Sequence, residues 1–468
     1  MNLRRTVYAA TLGCDKNLVD SEALLGRFAA RGIAVTAEPE DADIWILNTC
    51  GFIEAARRDS IDAIERMIEE KGDRLLVVTG CLTQERGDEI RAAYPGIDLV
   101  SGIGNFDKVV ESLELGDDRV PVSRPEDVRY EGLRDRPLLT PAHLAFVKIS
   151  EGCNFRCSFC RIPLIRGDQR SRRIDEIRDE VGRLTERGVR EVMLVSQNTS
   201  DFGRETGENL LDLVASLADV PELERVRLHY LYPGLIPLPV MREILATDKV
   251  VPYLDMPIQH ASPTVLKAMN RPFRSDELVQ FFGALRTDDP ELVLRTTVLL
   301  GFPGEQEEDI EHVLDFLAAV QFDHVGTYRY SPESGTSGAA MEITNDPEDV
   351  ADAESRLLDL QVDIALDRQR RRLGDVHRLV VDQVEDMEGW RDVLEDLTEQ
   401  GNDADLGWVD TAPTVAVCRS AHQAYEMDGV VLMDGRGRTP GEWLDGRWTA
   451  VSPFDAAAHP VTRPEDGR

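Results

Sequence analysis

Three cysteines lie within eight consecutive positions of the segment EGCNFRCSFC, and we call Cys153, Cys157 and Cys160 the loop cysteines. A structural metal site is normally closed by four protein ligands, and this segment supplies three. Three thiolates can hold three irons of a cubane cluster and leave the fourth iron open. The alternatives are a zinc site completed by a distant Cys or His, and three unrelated buried cysteines. The tight spacing favours an iron–sulfur cluster with one open position.

A second set of three cysteines is spread along the N-terminal part of the chain. We call Cys14, Cys50 and Cys81 the sheet cysteines, because each ends a predicted strand: 6–14, 42–50 and 74–81. Ligands bind at the carboxyl ends of strands in open parallel sheets, so these cysteines are expected to gather at one edge. The alternative is that they are small buried hydrophobes, as free cysteines often are.

The elements that must position both sets are alternating strands and helices. The first ~130 residues follow a βαβαβα order, which predicts an N-terminal parallel α/β domain. From residue 143 about six further βα units predict a full or partial TIM-like barrel. Short strands without long helices then predict a small antiparallel β-barrel. The predicted divisions are 1–135, 136–372 and 373–452, with a disordered tail over 453–468.

Composition narrows the class of protein. The chain has 468 residues, 42% of them hydrophobic, and a formal net charge of −34. Its apolar runs are too short to span a bilayer and its start lacks a signal peptide, so a cytoplasmic protein without membrane contact is expected. An odd number of cysteines, seven, argues against a disulfide framework. The negative charge repels nucleic acid and favours a basic partner, although a general solubility bias explains it as well.

The loop cysteines carry the first resemblance to a known family. The spacing C-x3-C-x2-C, with Phe159 just before the last cysteine and a βα series around it, resembles the radical S-adenosylmethionine (SAM) superfamily. The resemblance implies a [4Fe–4S] cluster on the loop cysteines whose open iron is chelated by SAM. It also implies an electron donor such as flavodoxin or ferredoxin, whose electron cleaves SAM to a 5′-deoxyadenosyl radical.

The segments LGCDKNLVDSE, NTCGFIEAA and GCLTQ resemble the N-terminal domain of the methylthiotransferases. In that family a second [4Fe–4S] cluster is bound by three cysteines, and its open iron holds the sulfur to be inserted. The resemblance therefore implies a second cluster on Cys14, Cys50 and Cys81. It covers residues 5–375, and the C-terminal barrel resembles a TRAM domain more loosely.

Within the family, KNLVDSE and FCRIPLIRG are similar to the RimO-type branch. That branch transfers a methylthio group to the β-carbon of an aspartate in the twelfth protein of the small ribosomal subunit, with SAM as methyl donor and radical source. The acidic C-terminal domain suits a basic ribosomal protein, free or within the subunit. Modification of a tRNA adenosine near the anticodon is the alternative substrate, and a non-catalytic ribosome-assembly factor is the alternative class. Asp15 departs from the branch, which usually has proline there.

Several other residues are weaker candidates. Gln197 ends a strand at the expected active edge and is a candidate contact of SAM or substrate, with a structural hydrogen bond as the alternative. The resemblance makes Gly301, in GFPGE, a SAM contact. No residue is assigned as catalytic beyond the cluster ligands, because hydrogen abstraction by a radical needs no conventional acid or base.

Two groups of charged residues and one further cysteine complete the candidates. A basic cluster follows the loop cysteines and consists of Arg161, Arg166, Arg170, Arg172 and Arg173. It is expected to hold the SAM carboxylate, the substrate aspartate or ribosomal RNA. The alternative is that it is a solvated helix start. Glu22 interrupts the apolar stripe of the first helix and is expected to face the sheet cysteines. Cys418 lies in a strand of the β-barrel and is expected to be a core residue.

Overall fold

The computed structural model describes residues 5–120, 122–128, 133, 135–399 and 406–461. These residues divide into two compact units. The first unit contains the described residues up to 140 together with 144–230 and 331–342. The second contains 141–143, 231–330 and the described residues from 343 onward.

The first unit begins with a parallel α/β sheet. Its strands are β1 (Thr6–Thr11), β2 (Ala34–Val35), β3 (Ile44–Thr49), β4 (Leu75–Gly80) and β5 (Leu99–Val100). Its helices are α1 (Asp15–Ala30), α2 (Glu54–Glu70), α3 (Cys81–Ala93) and α4 (Phe106–Leu115). Strand β3, IWILNT, is buried along its whole length, as expected of a central strand covered on both faces.

The order of this sheet decides where a ligand would bind. The strands lie in the order β2-β1-β3-β4-β5, and every pair is parallel. The chain leaves β1 towards one side to form β2 and then crosses to the other side to form β3, so the topological switch point lies between β1 and β3. Ligands of open parallel sheets bind outside the carboxyl ends of the strands at such a point.

The first unit continues with a second group of strands and helices. They are β6 (Leu144–Lys148), β7 (Ser150–Glu151), β8 (Arg170–Ser171), β9 (Glu191–Val195) and β10 (Arg225–Leu228), with α5 (Ile162–Arg166), α6 (Ile174–Glu186) and α7 (Leu210–Ala218). Strand β9 pairs in parallel with both β6 and β10. The two short strands β7 and β8 pair antiparallel and close the loop that carries Cys153, Cys157 and Cys160.

The second unit contains the remaining βα elements. The helices are α8 (Leu238–Leu245), α9 (Pro263–Ala268), α10 (Ser275–Asp288), α11 (Glu307–Val320) and α12 (Pro347–Arg370), and the strands are β11 (Val250–Asp255), β12 (Val293–Leu300) and β13 (His324–Arg329). Strand β12 pairs in parallel with β11 and β13. From residue 143 onward each unit contains three parallel strands of the βα series, which confirms the predicted series in its partial form, since a full TIM barrel has eight strands.

A closed five-stranded β-barrel ends the second unit. Its strands are β14 (Val376–Asp386), β15 (Thr414–Arg419), β16 (Val431–Asp434), β17 (Trp443–Val451) and β18 (Ala456–Val461), and helix α13 (Arg391–Glu399) precedes β15. The predicted barrel is confirmed, with one correction: β16 and β18 pair in parallel, whereas the other neighbours are antiparallel. Cys418 is fully buried in the barrel core beside Trp448, as expected.

The prediction of a disordered tail from residue 453 is wrong for 456–461, which form β18. Ala456, Ala457 and Ala458 are buried because β18 pairs with both β16 and β17 and closes the barrel. Alanines have little apolar surface, so the local sequence indicates no strand. Residues 453–455 are also described, with Asp455 accepting from the Val430 amide, and 462–468 lie outside the described residues. Among the described residues, no helix is both long and apolar enough to cross a membrane.

Candidate active site

The sheet cysteines stand at the carboxyl ends of three neighbouring strands. Cys14 caps the N-terminus of α1 shortly after β1, Cys50 directly follows β3, and Cys81 is the first residue of α3 after β4. A Cβ atom built on Gly13 would lie 3.1 Å from the Cys50 sulfur. Cys81 is within electrostatic range of both Cys14 and Cys50. The structure thus brings these three cysteines together at the switch point, as the strand pattern predicted.

The loop cysteines lie in a turn between β7 and α5. The Cys153 amide donates to the Gly167 carbonyl over 3.1 Å, and the Cys160 amide donates to the Cys157 carbonyl over 3.0 Å. Cys153 and Cys157 are close enough to interact electrostatically. All three are partly exposed, so the loop keeps its thiols accessible while its backbone is held in place.

Three of the six cysteines directly follow a glycine with a left-handed φ, and Gly13, before Cys14, has φ +95°. Gly80, before Cys81, has φ +112° and Gly152, before Cys153, has φ +83°. A Cβ atom on Gly80 would lie 2.4 Å from Thr49 O, and one on Gly152 would lie 2.3 Å from Asp168 O. Both positions therefore require glycine, for φ and for the close approach of another backbone segment. The pairs Gly-Cys are a sequence signal that the strand-end argument did not use.

The surroundings of three of the thiols raise their pKa values, so metal binding must release protons. Burial raises the pKa of Cys81 to about 11, although the adjacent Arg166 offsets part of that effect. Burial also raises the pKa of Cys153 to about 11 and raises the pKa of Cys50. These thiols are protonated at neutral pH when no metal is bound, and a metal must displace the protons.

The donor set decides which group fits. Each set of cysteines offers three thiols. Three thiolates are the ligand set of a cubane cluster with one open iron, because each of the other irons takes a different thiolate. Among the described residues, no group of three or more His, Cys, Asp or Glu side chains is arranged to hold a single metal ion. The residues present fit [4Fe–4S] clusters at both places.

A buried polar network links the two sets of cysteines. Arg166, at the end of α5, donates to the Cys81 sulfur over 3.2 Å and to Glu151 over 2.7 Å. Lys148 also donates to Glu151, over 2.8 Å, and pairs with Asp20 of α1. Burial alone raises the pKa of Glu151, but Arg166 and Lys148 outweigh it and hold that pKa at about 2. Glu151 is therefore ionised across the physiological range.

The basic cluster is not a free anion-binding surface, and that expectation is corrected. Arg161, Arg166 and Arg172 are buried or nearly so, and each pairs with carboxylates of the first unit. Arg172, for example, lies 2.6 Å from Glu180. The local sequence shows the five arginines but not which acidic residues neutralise them, and two of these, Glu85 and Asp20, come from distant elements. Arg170 is half-buried and donates to backbone carbonyls, and Arg173 lies 3.5 Å from Glu208.

Glu22 does not face the sheet cysteines. It is fully buried and pairs with Arg136, and its other oxygen accepts a hydrogen bond from the Leu139 amide over 2.7 Å. Arg136 also lies 2.8 Å from Glu180. The helical periodicity correctly predicted that Glu22 lies on the buried face of α1. Its partner Arg136 is more than a hundred residues away in the chain, so the periodicity could not indicate it.

Gln197 and Gly301 are held by structural hydrogen bonds. Gln197 Oε1 accepts from the Gly152 amide and its Nε2 donates to Glu151, both over 2.7 Å. The Gly301 amide donates to Glu305 over 2.8 Å. Gln197 thus supports the turn that carries the loop cysteines. A contact of Gln197 or Gly301 with SAM stays a prediction.

Lys16 and Tyr230, near Cys14, were missed from the sequence, and so was the role of Asp15. Lys16 Nζ lies 2.9 Å from Asp15 Oδ1 and 3.2 Å from the ring centre of Tyr230. Burial alone lowers the pKa of Lys16, but Asp15, Tyr230 and Cys14 together outweigh it and raise that pKa. Tyr230 has φ +60°, a strained conformation for a bulky residue and one that concentrates at functional sites. Asp15, the departure from the family pattern, thus neutralises a buried lysine.

Comparison with known families gives two matches along the chain. The profile of the uncharacterized protein family UPF0004 matches residues 6–102, which contain the sheet cysteines. The profile of the radical SAM superfamily matches residues 147–317, which contain the loop cysteines. The two sets of cysteines therefore fall in two separately recognisable segments.

Curated relatives match almost the whole chain. The ribosomal protein uS12 methylthiotransferase RimO of Symbiobacterium thermophilum is 37% identical over 467 residues, which cover 97% of this chain and 91% of that protein. The protein of the same name from Aromatoleum aromaticum is 38% identical over 477 residues, covering 96% of each. Among solved structures, the radical SAM methyltransferase TsrM of Kitasatospora setae has a TM-score of 0.53 at 15% identity, over 70% of this chain and 75% of that one. At that identity the likeness supports the fold alone.

Proposed function

Because this chain belongs to the ribosomal protein uS12 methylthiotransferase RimO family, we propose that it transfers a methylthio group to the β-carbon of an aspartate in uS12. The observation that carries this proposal is the presence of two three-thiol sets in one compact unit, one at the switch point of a sheet and one in the loop of a radical SAM segment. Two open irons are what such a transfer needs, one to generate a radical and one to hold sulfur.

The proposal assigns one [4Fe–4S] cluster to Cys14, Cys50 and Cys81 and a second to Cys153, Cys157 and Cys160. SAM completes the second cluster and serves as both methyl donor and radical source. When bound, these groups supply the radical that takes hydrogen from the aspartate and the sulfur that replaces it. An electron donor such as flavodoxin or ferredoxin reduces the second cluster.

The protein's own residues orient the two sites. Glu151 stays ionised and fixes Arg166 and Lys148, which tie the loop of the loop cysteines to α1. Gln197 holds the Gly152 amide immediately before Cys153. Such positioning matters because misplacement by about 1 Å can cost on the order of a hundredfold in rate.

The chain's organisation and charge support the same assignment. We propose that residues 1–135 hold the sulfur-carrying cluster, 136–372 the radical SAM site and 373–452 a TRAM-like barrel, which β18 extends to 461. The net charge of −34 favours a basic protein partner over nucleic acid. The enzyme would act in the cytoplasm, on uS12 alone or within the small subunit.

The test is reconstitution followed by product analysis. Anaerobically reconstituted protein is expected to hold about eight irons per chain, the content of two cubanes. With SAM and reductant it should convert a uS12 peptide to the methylthio product, detected by mass spectrometry, and yield 5′-deoxyadenosine. The protein with all three loop cysteines changed to alanine is the control and should form neither. Four irons, stoichiometric zinc, or modification of tRNA with the peptide unchanged would each contradict the proposal.

A further inference from the structure

Arg166 reaches from the loop segment to a ligand of the other set. Its Nη2 lies 3.2 Å from the Cys81 sulfur and 2.6 Å from Asn17 Oδ1. The side chain is 2% exposed, so bulk solvent has little access to these bonds. Cys81 and Arg166 are 85 residues apart in the chain, and the contact exists only in the folded unit.

The other guanidinium nitrogen is tied to the loop of the loop cysteines. Arg166 Nη1 lies 2.7 Å from Glu151 Oε1 and 3.2 Å from Asp20 Oδ2. The same Glu151 oxygen accepts a hydrogen bond from Gln197, whose own oxygen holds the Gly152 amide. One planar side chain thus contacts a sheet cysteine directly and holds the segment before Cys153 through two further residues.

The charges around Arg166 balance. Arg166 and Lys148 are the cations, and Asp20 and Glu151 are the anions. All four are buried. Loss of the Arg166 charge would leave one uncompensated negative charge beside the Cys81 sulfur, in surroundings where solvent screens little.

We propose that Arg166 is a positioning residue for the cluster on Cys14, Cys50 and Cys81, and that its N–H···S hydrogen bond to Cys81 raises that cluster's reduction potential. Hydrogen bonds to the sulfurs and local net charge are among the features that set the potential of an iron–sulfur cluster. A cationic donor stabilises the more negative, reduced state more than the oxidised one. The inference rests on the proposed function, because it requires a cluster at the sheet cysteines.

The test isolates that cluster and measures its potential. In the parent protein the loop cysteines are changed to alanine (C153A/C157A/C160A), so that only the cluster on the sheet cysteines forms. Arg166→Gln and Arg166→Lys are made in this parent, and each is titrated with a redox dye series while the reduced cluster is followed by electron paramagnetic resonance. Arg172→Gln is the matched control, since Arg172 is a largely buried arginine of the same segment that pairs with Glu180.

Arg166→Gln is expected to lower the potential by on the order of 59 mV, a tenfold change in the one-electron equilibrium. Arg166→Lys, which keeps the charge, should shift it less, and Arg172→Gln should leave it unchanged. If Arg166→Gln binds four irons and keeps the potential of the parent protein, the role of Arg166 is overturned and the cluster assignment stands. An equal shift in Arg172→Gln has the same consequence. Loss of the cluster from both Arg166 variants also overturns it, since Arg166 would then be required for assembly. A parent protein without iron overturns the cluster assignment and this inference with it.

Discussion

The side-chain oxygen of Gln197 accepts a hydrogen bond from the Gly152 amide over 2.7 Å. This bond anchors the residue before Cys153 to the end of β9, and the Gln197 amide nitrogen is engaged by Glu151. Gln197 therefore supports the turn of the loop cysteines through both ends of its amide, and its contact with SAM stays a prediction.

Gln197→Leu should loosen the loop cysteines. The change leaves a buried amide without its partner, at a cost of about 1–3 kcal/mol. We expect iron to be lost from the loop cysteines on the order of tenfold faster, as measured by iron content over time after reconstitution. The matched control is Gln361→Leu, which removes a buried glutamine that donates to backbone carbonyls of 322 and 323. Normal iron retention with weakened SAM binding would instead make Gln197 a SAM contact.

Single cysteine variants should separate the two clusters. Alanine at Cys14, Cys50 or Cys81 should lower the iron content from about eight to about four and preserve 5′-deoxyadenosine formation. Alanine at any loop cysteine should lower iron equally and abolish SAM cleavage. Cys418→Ala, in the barrel core, is the control and should retain about eight irons. SAM cleavage lost in the first group but kept in the second would reverse the assignment.

Gly80→Ala should disrupt the sheet-cysteine site before any metal is bound. The new Cβ would lie 2.4 Å from Thr49 O and the residue would keep φ +112°. Backbone strain and overlap together should cost at least about 3 kcal/mol, measured by urea unfolding of the metal-free protein. Gly116→Ala is the control, since Gly116 has φ +77° and no neighbour within 4 Å of the added atom. It should cost only about 1–2 kcal/mol, and equal losses would refute the steric argument.

Asp323 is the centre of a buried ion cluster in the second unit. Its oxygens lie 2.7 Å from Arg286, 3.0 Å from Arg368 and 2.9 Å from Arg372. Asp323→Asn should destabilise the protein at pH 7 by about 3–5 kcal/mol, because two buried arginines and one partly buried arginine lose the carboxylate they share. Asp288→Asn removes the exposed pair with Arg242 and should change stability by at most about 1 kcal/mol.

The pH dependence of the Asp323 contribution has a defined sign. Burial alone raises the pKa of Asp323, but Arg372, Arg368 and Arg286 outweigh it and hold that pKa well below its ordinary value of 3.8. A carboxylate with a lowered folded-state pKa stabilises the fold fully above its unfolded-state pKa and loses that contribution as pH falls. The stability difference between the native protein and Asp323→Asn should therefore be constant above about pH 5 and shrink below 3.8. A difference that grows on acidification would contradict this.

Local patterns were sufficient to single out the six cysteines and to group them in two sets of three. The loop cysteines are visible because all three come from one short turn. The sheet cysteines could be grouped because alternating strands and helices predict a parallel sheet, whose strand ends converge at one edge. The βα series and the barrel also follow from periodicity, which depends on near neighbours in the chain.

What the tertiary structure alone decided is the set of partners around those cysteines and around the charged residues near them. Five clustered arginines suggested a free basic surface, and folding paired two buried ones, Arg161 and Arg166, with Glu85 and Asp20 of distant elements. Glu22 was placed on a buried face, and only the fold showed that Arg136 covers it. Strand β18 exists because two neighbouring strands accept it. These contacts join residues far apart in the chain, and their energies depend on burial and neutralisation, which composition and spacing do not specify.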